Sequence, residues 1–167
     1  MFLLEYLVNN SVRPSKVIYN GSKIMYMEVA KGLHIRVLDS LNLLPMRLAA
    51  LPKAFGLTEM RKGYFPHFFN TRQNQSYVGP YPDPKMYGAD YMSTTDRKAF
   101  LEWHEGKSKS DAVFDFRKEM EEYCRSDVDI LRRACLQFRQ LMLDATDVDP
   151  FQYVTIASVC MGIYKTR

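Results

Sequence analysis

From Phe116 to Met142, apolar residues recur at helical spacing. At about 100° per residue, Phe116, Met120, Cys124, Val128, Leu131, Cys135, Phe138 and Met142 fall in one stripe, with Tyr123 and Ala134 on its flank. A stripe sustained over so many turns commits residues 114–146 to containing one long helix with a buried face. The charges Glu121, Glu122, Arg125, Asp129, Arg132 and Arg133 fall outside the stripe, as they should on such a helix. Asp127 falls inside it. A carboxylate buried without partners costs several kcal/mol or takes up a proton, so this acid requires a reason. Two are open: it caps or hydrogen-bonds within the fold, or it holds a metal ion.

The remainder of the chain has ordinary globular proportions. Its 167 residues are 47% hydrophobic and 25% charged, enough for one domain with a core. A net charge of +4 is compatible with a polyanionic partner but does not argue for one alone. The three cysteines, Cys124, Cys135 and Cys160, are odd in number and lack metal-ligand spacing. On a helix the first two lie about 16 Å apart, so a reducing, intracellular compartment is expected. No apolar run approaches the roughly 18 residues of a membrane span, and "MFLLEYLVNN" has neither the basic start nor the cleavage site of a signal peptide. No membrane association is expected. His34, His67 and His104 have no spacing that pairs them as zinc ligands, and read as structural or surface residues.

Along the chain, "FLLEYLVNN" reads as the end of an apolar helix. Extended runs at 17–19, 23–29 and 34–38, with turn signals at Asn20-Gly21 and Lys31-Gly32, predict an antiparallel β-meander. A short helix from Met46, containing Pro52, closes at Gly56. Residues 63–95 show no sustained period, and their density of Tyr and Phe predicts an ordered, irregular loop. A short helix capped at Ser93 or Thr94, a polar turn at "KSKSD", the long helix and the start of another helix complete the chain.

Three short pieces carry candidate chemistry: "DSLNLLP", "RKGYF" and "YCRSDVDIL". In the last, Tyr123 and Asp127 are four residues apart, so phenol and carboxylate share one helix face. In the first, Ser40 and Leu41 read either as a cap and a core residue or as a hydroxyl and an apolar wedge for a nucleic-acid strand. In the second, Gly63 beside Lys62 permits close backbone approach.

Together and in this order, the three pieces resemble the 3′–5′ exonuclease domain of the family B DNA polymerases, specifically the protein-primed branch of phages, linear organellar plasmids, adenovirus-like viruses and Maverick/Polinton-type elements. The tail "DPFQYVTIASVCMGIYK" is similar to the connection toward the polymerase domain in the mobile-element members. The resemblance implies an α/β fold of ribonuclease H-like type, present in part, with the antiparallel β-meander followed by helices. Residues 1–146 would belong to the exonuclease domain and 147–167 would begin the connection. It implies that Asp127 is a ligand of catalytic Mg2+ or Mn2+, that Tyr123 orients the attacking water, and that Lys62 approaches the scissile phosphate. Ser40 and Leu41 would hold the single-stranded 3′ end. Implied partners are single-stranded DNA 3′ ends, primer-template DNA and a terminal protein.

A two-metal nuclease needs several carboxylates to hold cations about 4 Å apart, and the family draws them from an Asp-x-Glu strand and an Asn-x3-Asp element. Neither occurs before Phe2. The chain is therefore expected to be a fragment, inactive as a nuclease by itself. The alternatives are a non-catalytic module that binds DNA or a terminal protein, and an inactive remnant of a mobile element.

Overall fold

A computed structural model of the chain describes residues 2–29, 34–57, 63–110 and 112–166. It is a mixed α/β structure of antiparallel strands and helices that divides into two compact units, one formed by Met1–Arg47 with Ala134–Arg167 and the other by Leu48–Arg133.

The first unit opens with α1 (Phe2–Asn9), followed by the meander β1 (Lys16–Asn20), β2 (Lys23–Val29) and β3 (Ile35–Leu38), paired antiparallel in that order. Asn20 pairs with Lys23, leaving Gly21 in the two-residue loop at φ 57°, a left-handed conformation that glycine adopts without steric cost. The register slips between Ile18 and Tyr19. The third strand begins one residue later than its sequence suggests, because His34 is itself left-handed at φ 47°. The expected Lys31-Gly32 turn lies outside the described residues.

Leu7, Met27 and Val29 form the core on the meander's buried face, with Leu4, Val17 and Val37 packed around them. A second cluster joins Leu43, Val148 and Val159. It draws on Phe138 and Met142 from the end of the long helix α4 (Phe116–Thr146) and on Ile156 and Ile163 from α5 (Ile156–Thr166). Arg139 binds Asp149 at 2.7 Å, holding that carboxyl below its ordinary range, while Asp149 caps the turn Pro150–Gln152.

The second unit starts with α2 (Leu51–Ala54). Leu57 N–H donates to the Pro52 carbonyl across Gly56 at φ 67°, the terminator predicted at that glycine. The aromatic stretch is ordered by single 3₁₀ turns at His67–Phe69, Arg72–Asn74, Pro84–Tyr87 and Ala89–Tyr91. A short ladder pairs β4 (Val78–Gly79) with β5 (Phe114–Asp115) and ties the loop to the start of α4.

Ser93 caps α3 (Thr94–Lys109), accepting from the Asp96 N–H. This helix runs through most of "KSKSD" rather than turning there. Lys107 and Lys109 in its last turn favour the helix dipole, and Lys109 pairs with Glu105 at 2.6 Å. Asp115 Oδ1 accepts from the Arg117 and Lys118 N–H groups and starts α4.

The buried face of α4 differs from the stripe read by residue type. Val128 is 65% exposed and Cys124 is also exposed, whereas Ile130, outside that stripe, is fully buried with Ala134. The face is turned toward Tyr123, Asp127, Ile130 and Ala134, because the first half of the helix packs its Phe116, Met120 and Tyr123 on the cluster of Phe65 and Phe114. Asp127 is thus nearer the middle of the inward face than the sequence suggests.

Candidate functional site

Tyr123 and Asp127 project from one side of α4, one turn apart. Asp127 is half-buried, with its Oδ1 shielded from solvent. The segment that follows Lys62 lies against Tyr123: the Phe65 ring is 5.4 Å from the Tyr123 ring, and a Cβ placed on Gly63 would stand 3.9 Å from Tyr123 Cδ2. His67 meets the same ring edge-on at 5.5 Å. Two of the three sequence pieces therefore converge. Lys62 itself lies outside the described residues.

A cavity of about 530 Å³ opens beside this junction. Tyr64, Phe65, Tyr87, Met92 and Tyr123 give it an apolar, aromatic wall, and Lys53 and His67, both exposed side chains, also border it. Its sequence context marks His67 as structural or surface. It is on the surface, and its contact with Tyr123 has no signal in sequence spacing.

Ser40 and Leu41 belong to the other unit. Asp39, not Ser40, caps their 3₁₀ turn, with Oδ1 accepting from the Leu41 N–H at 3.1 Å. Leu41 is not core: it is 51% exposed, while Leu43 and Leu44 anchor the turn from below. The arrangement leaves an apolar side chain outside with the half-buried Ser40 beside it.

Metal binding fits only in part. Among the described residues no three His, Cys, Asp or Glu side chains stand together as a metal site. Asp127 supplies one carboxylate, and two cations need several. The described residues do not hold a two-metal centre by themselves.

Residues 1–167 match the family described as DNA polymerase type B, organellar and viral. The chain belongs to that family. Among curated relatives, a protein of Ascobolus immersus named "Probable DNA polymerase" is 29% identical over 178 residues, covering 100% of this chain and 14% of the relative. Proteins with the same name from Agaricus bitorquis (26% identical; 87% of this chain, 18% of the relative) and Podospora anserina (28% identical; 80% and 10%) are also similar. This type B polymerase segment thus spans less than a fifth of the length of these relatives. No solved structure matches it.

In this polymerase segment α4 also carries Glu119, whose Oε1 accepts from the Tyr81 hydroxyl at 2.9 Å. Burial first, and then this hydrogen bond, pushes the Tyr81 phenol up to about 12. A raised folded value makes stability complete below the ordinary value near 10 and lost progressively as pH climbs through 10 toward 12. Urea unfolding between pH 8 and pH 12 (~ values spanning that window) should show this decline, and Tyr81→Phe should flatten it. A decline of equal size in Tyr81→Phe would assign the effect to other groups.

Proposed function

We propose that this segment is part of the 3′–5′ proofreading exonuclease domain, of ribonuclease H-like type, in a protein-primed type B DNA polymerase that acts on single-stranded 3′ ends of primer-template DNA. Residues 1–146 belong to that domain and 147–167 begin the connection toward the polymerase domain. Tyr123 orients the attacking water, Asp127 is one ligand of a divalent-cation site that takes Mg2+ or Mn2+, and Lys62 faces the scissile phosphate. Ser40 and Leu41 hold the strand. The observation that carries this reading is the meeting of Tyr123, on the same face as Asp127, with the segment that directly follows Lys62. The exposed Leu41 beside Ser40 suits strand capture without sequence preference. Three unpaired cysteines suit a reducing intracellular compartment.

The experiment is 3′ trimming of labelled single-stranded DNA by a complete polymerase that carries the segment. Lys62→Ala should slow cleavage about a hundredfold, the scale for removing one group that stabilises developing negative charge. It should leave DNA affinity within about twofold, because one phosphate contact contributes little to the whole. Ser40→Ala and Leu41→Ala should do the reverse and weaken capture of the strand end. Equal losses of binding and cleavage in all three variants would overturn the assignment of roles.

A further inference from the structure

The helix α5 is apolar on two opposite sides. Its inner side is firmly seated. Val159 is fully buried, Ile156 and Ile163 pack beside it, and Gly162 is buried where an added Cβ would collide with the Tyr153 hydroxyl. The other side carries Ala157, Cys160, Met161 and Tyr164, which at about 100° per residue fall in one stripe. All four are exposed, Met161 by 55% and Tyr164 by 79%. Because the inner side is already filled, this stripe is not a core face turned the wrong way. Nothing polar interrupts it: the Ser158 and Thr166 hydroxyls turn back to the Thr155 and Ile163 carbonyls at 2.7 and 3.0 Å, and the first charge on the helix is Lys165. A helix that is apolar all round belongs inside a larger body, whereas one that meets water carries charge on its outer side.

We infer that the outer stripe of α5 docks the segment on the rest of its own polymerase chain, against an apolar surface there. Length argues for this occupant. The match to the Ascobolus immersus relative takes in 100% of this chain, α5 included, and only 14% of the relative, so most of such a polymerase lies outside the segment. The side chains suit the core of an interface, where aromatic residues and Met are enriched and Lys and Glu depleted. Tyr164, the most exposed of them, is the anchor. The inference rests on the reading of 147–167 as the connection toward the polymerase domain, and not on the cleavage roles of Tyr123, Asp127 or Lys62.

Cys160 stands within the stripe, so thiol alkylation reads whether the face is covered. Labelling by N-ethylmaleimide is followed peptide by peptide in the 167-residue chain and in a complete polymerase that carries it. The other thiols are references. Cys124 is exposed and should label fast in the chain, whereas Cys135 is half-buried, its thiol pushed up by burial, and should label slowly wherever the fold is intact. Cys160 should label as fast as Cys124 in the chain. In the complete polymerase it should label about tenfold more slowly or less, because a covered thiol reacts only through transient opening. Met161→Glu should leave the urea resistance of the chain unchanged, since that side chain already meets water, and should restore fast labelling of Cys160 in the complete polymerase. Tyr164→Ser should also speed that labelling. Fast labelling of Cys160 in the wild-type polymerase, continued protection in both variants, or loss of stability in the Met161→Glu chain would each overturn the inference. Slow labelling of Cys160 in the chain together with a doubled mass by light scattering would assign the face to a second copy and overturn it as well. No cleavage is scored, so an uncovered Cys160 leaves the trimming assay standing, and a polymerase that fails to trim leaves this test standing.

Discussion

In a complete polymerase that carries this segment, Asp127→Asn should lower 3′ trimming by roughly 10²–10³-fold or more while extension of a matched primer continues at the wild-type rate. The amide keeps the shape of the side chain and removes its charge, so packing on the inward face of α4 changes little. A cation's contribution to stabilising transition-state charge is several kcal/mol, and each ~1.4 kcal/mol is tenfold in rate. Tyr123→Phe should be milder, about tenfold, because the ring contacts with Phe65 and His67 survive and only the phenolic hydroxyl is lost. The measurement pairs trimming of a labelled single strand with extension of a matched primer in the same preparation. Trimming by the Asp127→Asn enzyme at the wild-type rate would remove Asp127 from the site and leave it as a structural acid of the helix.

The parts of this fold that local chemistry determines are legible in the sequence. Gly21 and Gly56 take the left-handed conformations that their positions demand, and Ser93 caps the helix it precedes. The meander pairs as its turn signals predict. What local pattern does not determine is which side of a long helix faces inward. Counting by residue type places Cys124 and Val128 in the stripe, but the choice of face belongs to long-range partners, here Phe65 and Phe114, which pack on Phe116, Met120 and Tyr123. Ile130 is buried as a consequence: at about 100° per residue it falls on the side of Phe116, Tyr123 and Ala134, whereas Val128 lies about a third of a turn round from Phe116.

The candidate site divides along the same line. The shared face of Tyr123 and Asp127 follows from helical geometry alone. The contacts of Tyr123 with Phe65 and His67 join positions more than fifty residues apart (about 15 helical turns if the chain were helical throughout), and only the folded chain brings them together. Residues 63–95 lack any period because their order resides in isolated 3₁₀ turns and ring packing. Aromatic density is their only sequence signal, and it says that the loop is ordered without saying what it surrounds.

The aromatic packing that builds the cavity wall makes Phe100→Ala the substitution with the largest expected cost in stability. Phe100 is fully buried and is the buried residue of α3 among those described. Its ring stands 5.1 Å from Tyr64, 5.1 Å from Tyr87 and 5.9 Å from Trp103. Truncation removes the transfer free energy of the ring and leaves a void among stiff neighbours that cannot close around it, a loss of about 3–5 kcal/mol. Phe100→Leu, which keeps most of the apolar volume, should lose less than half of that. Val128→Ala on the exposed side of α4 should stay within about 0.5 kcal/mol, since its side chain already meets water. Urea unfolding followed by Trp103 fluorescence reads the unit that holds all three positions. The order of the variants tests two things at once. A costly Val128→Ala would restore the face of α4 that residue type suggests, and a Phe100→Ala loss below about 1 kcal/mol would mean that the aromatic cluster of Tyr64, Tyr87 and Phe100 is not the core that positions the cavity.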